Sequence, residues 1–142
     1  MFNVRVIRRK HRDIPNISGP MRVKVGYPAS ETSSAIVMRA IWNHFGTSRG
    51  IPSRPFLRNA IRGNRNKYKR QLQIAAKSLV VGLSTTRDVL AKLGIQAVGD
   101  IQREITNLRT PPNAPSTIRK KGSSNPLIDT GEMRQSTTYE IE

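Results

Sequence analysis

The side chains here whose type and spacing most plainly suggest chemistry are cations. Arg54, Arg58, Arg62, Arg65, Lys67, Lys69 and Arg70 crowd one short stretch, and residues 32–87 carry 11 Lys or Arg with no acid between Glu31 and Asp88. Such a run repels itself unless an anionic partner, an acidic protein surface or solvent ions screen it. Nucleic acid is one such partner, because neutralising phosphates releases counterions and drives binding. A solvated helix face is the plain alternative. Tyr68 is the one aromatic inside the run that a base could stack on, and no helix-turn-helix or single-strand-binding signature accompanies it.

Reactive constellations are scarce. There is no Gly-rich phosphate loop, and the nine acids are scattered, with no pair at helical spacing facing a His. His44, just ahead of Gly46, has the chemistry of a general base but sits where helix-end and surface histidines are common. His11 lies in a basic loop. Asp129-Thr130-Gly131 has the composition of a nucleophile turn and equally of a turn or helix cap, and the cap is the preferred reading. With no Cys there are no disulfides and no Cys-based zinc sites, and two His are few for a metal site. The expectation is a protein that is not an enzyme and needs no cofactor.

Positioning these residues falls to a short list of elements. Met21, Val23, Val25 and Tyr27 alternate with polar residues or Gly, the period of a half-buried strand, and Phe2, Val4 and Val6 repeat the pattern. Loop chemistry fills His11 to Pro20. A helix capped by Ser30 or Thr32 then carries Val37, Ile41 and Phe45, with Met38 and Trp42 beside them, and stops at Gly46. Pro55 opens the next helix, whose stripe is Leu57, Ile61, Tyr68, Leu72, Ala75, Ala76 and Leu79. Gly63-Asn64 predicts a break, giving a short helix followed by a long one. Thr85 and Asp88 form a capping signal. After it Leu90, Leu93, Ala97, Ile101, Ile105 and Leu108 share a face until Pro111-Pro112. One helical turn is expected after Pro115, and Tyr139 and Ile141 alternate in a C-terminal strand.

Strands at the ends and helices between them predict an α+β fold. A small antiparallel sheet from the terminal strands packs with two long central helices and one shorter one. The helices at about 55–81 and 85–108 are expected to pair on the sheet and to bury Leu57, Ile61, Leu72, Leu79, Leu90, Ile101 and Ile105. Residues 1–142 are read as a single domain, with 8–20 and 109–128, rich in Pro, Gly and Ser, as extended arms that order against a neighbouring subunit. A formal charge of +16 is compatible with a core, since Leu, Ile, Val and Phe number 34 of 142 and exceed the roughly 20% below which charged chains stay disordered. No apolar run approaches the roughly 20 residues of a membrane span, and MFNVRVIRRK lacks the apolar region of a secretory signal. A soluble protein made and used without export is the expectation, with no membrane partner.

Two segments look like motifs. The first is Asn43-His44-Phe45-Gly46-Thr47 followed by Ile51 to Ile61, with Pro55-Phe56-Leu57 inside it. The second runs from Pro111 to Ile141 and contains Thr130-Gly131-Glu132-Met133 with Ser136. Together they resemble the neck or tail-completion proteins of long-tailed phages, the group that includes lambda-type minor tail protein Z. In that family a Phe-Gly-Thr turn ends one helix, Pro-Phe-Leu begins the next, and a Thr-Gly turn leads into a strand. This chain departs from the pattern in two ways: His44 stands where a Glu is usual, and the Thr-Gly turn follows the Phe-Gly-Thr turn.

The resemblance implies a structural virion protein of the head–tail junction, made in the host cytoplasm. It would form a homo-oligomeric ring of sixfold or twelvefold closure. Its partners would be the head-completion or portal-side connector and the tail terminator, with transient contact to packaged DNA. Phe45, Gly46, Thr47, Pro55, Phe56, Leu57, Thr130 and Gly131 would then hold the fold, and the cations would meet the partner or the DNA. A basic nucleic-acid-binding protein acting alone is the alternative.

Overall fold

The computed structural model describes residues 16–142, with elements in the order β1 Val23–Gly26, α1 Ser34–Phe45, α2 Phe56–Gly63, α3 Arg65–Val80, α4 Thr86–Asn107, α5 Pro115–Lys121, α6 Glu132–Gln135 and β2 Thr138–Ile141. This is an α+β arrangement, as the element order predicts. The expected alternation at Phe2, Val4 and Val6, and residues 8–15 of the N-terminal arm, lie outside the described residues.

The longest helix, α4, begins at a complete capping box. The Thr85 hydroxyl accepts from the Asp88 N–H at 3.2 Å and the Asp88 carboxylate accepts from the Thr85 N–H at 3.1 Å. Two of the four orphan N–H groups of the first turn are thereby satisfied. The anionic Asp88 also lies at the positive end of the helix dipole, and its bonds to Thr85 hold its pKa below the ordinary value.

The two chain ends form one sheet. β1 and β2 pair antiparallel in the register Val23↔Ile141, Lys24↔Glu140, Val25↔Tyr139 and Gly26↔Thr138. The ladder continues past β1, where Met21 and Arg22 N–H both donate to Glu142 O. Two strands alone are marginal in water, so the sheet depends on α4 crossing it. Gly94 permits that crossing: a Cβ there would lie 2.5 Å from the Tyr139 ring.

Buried residues of α4 recur at Gly94, Ala97, Ile101 and Ile105, the spacing of one helical face. Ile101 and Ile105 join a cluster with Phe56 and Ala60 of α2, Ala40 of α1, and Leu108, Leu127 and Met133. Phe56, Ile101 and Ile105 are fully enclosed, each contributing about 1.5–3 kcal/mol. Tyr27 and His44 both approach the Phe56 ring edge-on, at 6.4 and 5.5 Å between centroids.

Several expectations are corrected. Of the seven residues expected in the core, Ile101 and Ile105 are buried, Leu57, Leu79 and Leu90 are half-buried, and Ile61 and Leu72 are exposed. The chain breaks at Asn64, so α2 lies along α4 while α3 has no buried residue. In α1 the inward arc is Ile36, Ala40 and His44, and Met38, Ile41, Trp42 and Phe45 face solvent. Large apolar residues cover more of α1 than one packing arc can hide, and the arc that is hidden carries the small Ala40, which joins the buried cluster with Phe56. The N-cap of α1 is Ser33 rather than Ser30 or Thr32, because Glu31 and Thr32 N–H turn back onto Pro28 O.

Residues 109–128, expected to extend as an arm, fold back instead. They contain the two-turn α5, and Leu127 enters the core. Asn125 holds the segment, its Oδ1 accepting from Leu127 and Ile128 N–H and its Nδ2 donating to Thr106 O. At the other end, Ser18 O of the N-terminal lead accepts from the Thr86 hydroxyl at 3.1 Å.

Candidate interaction surface

The cations expected to meet a partner divide into two kinds. Arg54 is interior, 3% exposed. Its Nε donates to Pro111 O at 2.8 Å, and its Nη2 to Pro112 O at 3.0 Å and Asn113 Oδ1 at 3.2 Å. Nη1 reaches Asn43 Oδ1 at 3.3 Å. Burial pulls its pKa down, and this planar fork clamps the segment after α4 to the α1–α2 loop. Arg54 is thus a structural residue, in correction of its expected contact role.

Lys67 is also committed inward. Its Nζ lies 2.6 Å from Asp100 Oδ2, which also accepts from Tyr68 Oη at 2.8 Å, while Arg103 reaches Oδ1 at 3.1 Å. Asp100 is 2% exposed. Burial pushes its carboxyl up, but hydrogen bonds from Lys67 and Tyr68 and the charges of Lys67 and Arg103 outweigh it, leaving the pKa below the ordinary value. Tyr68 is raised, by burial first and then by its bond to the carboxylate. This cluster is the main polar tie between α3 and α4. The sequence carries a signal for it: Asp100 sits beside Ala97 and Ile101 on the face of α4 that must be buried.

Arg58, Arg62, Arg65, Lys69 and Arg70 are exposed and make no ion pair among the described residues. Arg58 and Arg62 are one turn apart on α2, Arg65 and Lys69 one turn apart on α3. Here lies an open groove of about 620 Å³ lined by apolar or aromatic Ile61, Tyr68, Leu72 and Ala76, termed its floor, and by polar Arg62, Arg65, Lys69 and Gln73, of which the three cations are termed its rim.

The motif residues hold turns. Gly46 has φ 78°, and a Cβ there would meet Ile51 O and Ser53 N at 2.8 Å. Thr47 N–H then donates to Ile51 O, closing the loop ahead of Pro55, which precedes Phe56 at the start of α2. Gly131 precedes α6 at φ 85°, and the Thr130 hydroxyl accepts from Glu132 N–H at 3.4 Å. Phe45 differs from the rest of its motif, with its side chain 67% exposed.

Sequence reasoning missed two apolar faces. One is Met38, Ile41, Trp42 and Phe45 on α1; the other is Val80, Val81 and Leu83 at the α3–α4 turn, where Leu83 is 81% exposed. The apolar periodicity of these helices is visible in the sequence, but the lack of a cover for them among the described residues is not. His44, the residue considered as a base, is buried against Phe56 and Phe45, with its pKa lowered by burial and by the Arg58 charge. Among the described residues no group of three or more His, Cys, Asp or Glu could hold a metal ion, and no helix is long and apolar enough to cross a membrane. Compared with known proteins, the chain matches no protein family, no curated protein and no solved structure.

Proposed function

We propose that the chain is a structural subunit of the head–tail junction of a long-tailed phage, assembling head-to-tail into a ring. The observation that carries this reading is the pair of apolar faces, on α1 and at the α3–α4 turn, that are exposed among the described residues. Ala40 of α1 packs into the cluster with Ile101 and Ile105 near the end of α4, whereas Leu83 precedes the start of that helix. At 1.5 Å per residue the faces stand roughly 20 Å apart along α4. A contact that joins two different surfaces repeats from copy to copy and closes a ring when the rotation allows. The Phe45-Gly46-Thr47 and Thr130-Gly131 turns support the phage assignment through their resemblance to neck proteins.

Trp42→Asp and Leu83→Asp each spoil one face. The wild-type chain should sediment as a large closed oligomer and either variant as a monomer. Mixing the two variants should yield a 1:1 dimer, because each retains the face the other lacks. Wild-type monomers at assembly concentrations, or a mixture that stays monomeric, would overturn the ring.

The cations that make no ion pair among the described residues favour a second reading, nucleic-acid binding by the isolated chain. Its signature is duplex affinity that falls steeply with salt, together with a monomeric protein.

A further inference from the structure

We infer that the groove along α2 and α3 is the docking site of an acidic, amphipathic helix from a different protein. This rests on the ring-subunit reading for a partner close at hand and specifies the chemistry of that partner.

Both parts of the groove constrain the occupant. The rim, Arg62, Arg65 and Lys69, is cationic without compensation, since no ion pair touches it among the described residues and no acid occurs from residue 32 to 87. The floor is apolar, with Ile61 and Leu72 exposed despite their size. An anionic partner is attracted by the rim, but covering the floor is favourable only with apolar surface. Duplex nucleic acid presents phosphates to such a rim and leaves the floor wet. Single strands need a free stacking face. Tyr68 is the one aromatic in the groove, half-buried with its hydroxyl held by Asp100 and Lys67 Nζ 5.7 Å from its ring centroid.

A helix meets both demands. Rows of side chains spaced four apart on one helix form ridges, and the grooves between them take the ridges of another helix; Leu72 and Ala76 form such a row on α3. Rim cations at 62, 65 and 69 match acids spaced three and four apart on a helix lying alongside. Helix-in-groove docking with charged flanks is a recurrent mode of recognition. A second copy does not supply this helix. The acids of α4 are the cap residue Asp88, buried Asp100, and Glu104, which accepts from Asn59, while Glu132 of α6 pairs with Arg39.

The test uses the full chain and a labelled synthetic peptide of about five helical turns, with Leu on one stripe and Glu flanking it. A permuted peptide of the same composition with the stripe broken, and a short DNA duplex, serve as controls. By fluorescence anisotropy near 0.15 M salt, the striped peptide should bind at least about tenfold more tightly than the permuted one. Ile61→Ser with Leu72→Ser should abolish that preference, and so should Ala76→Glu, which keeps a good helix former at an exposed site. Neutralising Arg62, Arg65 and Lys69 to Gln should weaken the striped peptide by about tenfold. Equal binding of the two peptides, an unchanged preference in Ala76→Glu, or duplex DNA that outcompetes the striped peptide would each overturn the inference. Trp42→Asp, which breaks the ring, should leave peptide binding intact. A ring without peptide preference thus refutes docking alone, and a monomer that prefers the striped peptide refutes the ring alone.

Discussion

Arg54 and Arg58 are neighbours on the same basic run, yet one is interior and the other is surface. The difference lies in what each meets. Arg54 finds the carbonyls of Pro111 and Pro112 and the amides of Asn43 and Asn113, so its buried charge is satisfied in the way buried cations require. Replacing it by Met keeps most of the volume and removes every donor. Arg54→Met should cost about 2–4 kcal/mol in chemical denaturation, and limited proteolysis should now cut within 109–114. Arg54→Lys should recover only part of the loss, because a point ammonium cannot reach carbonyls in a planar fork. Wild-type stability in Arg54→Met would show that the clamp is incidental.

At the scale of elements, α3 is held differently from α4. With no buried residue of its own, α3 relies on the Lys67–Tyr68–Asp100 cluster and on half-buried Leu79. Asp100→Asn should cost about 2 kcal/mol at neutral pH. In hydrogen exchange it should strip protection from α3 while sparing α4 around Ile101 and Ile105. The acid limb carries the sign of the effect. Because the Asp100 carboxyl lies below its ordinary value in the fold, the native state binds fewer protons there than the unfolded chain, and stability rises with pH through this titration. The contribution is complete above the unfolded value, about pH 4, and is lost as pH falls through the lower folded value. Asp100→Asn should flatten that part of the stability–pH curve; an unchanged acid limb would assign it to other carboxylates.

The whole molecule combines a small core with a formal charge of +16 and two apolar faces exposed among the described residues. Arg58, Arg62, Arg65 and Lys69, which make no ion pair among the described residues, add self-repulsion to the compact state. Neutralising all four to Gln should leave the thermal midpoint unchanged or slightly higher at about 20 mM salt, and the difference should vanish near 0.5 M as screening takes over. A lower midpoint would show that these cations serve the fold. Under the head–tail subunit proposed above, the same variant should reduce head–tail joining in an infected host, the outcome expected when the cations serve a partner.

Local chemistry was legible in the sequence by itself. The Thr85–Asp88 cap, the stop at Gly46, the break at Gly63-Asn64 and the alternation in β1 and β2 follow from groups within a few residues of one another. Their order along the chain already implied a sheet made from the two ends. Tertiary structure alone decided which faces are covered. Periodicity gives the phase of an apolar stripe but not whether another element lies opposite it, so Ile61 and Leu72 have the spacing of core residues although both are exposed. Arg54 follows the same logic in reverse: nothing beside it in sequence distinguishes it from Arg58. The carbonyls that make its burial favourable belong to residues 111 and 112, and only the folded chain brings them to it.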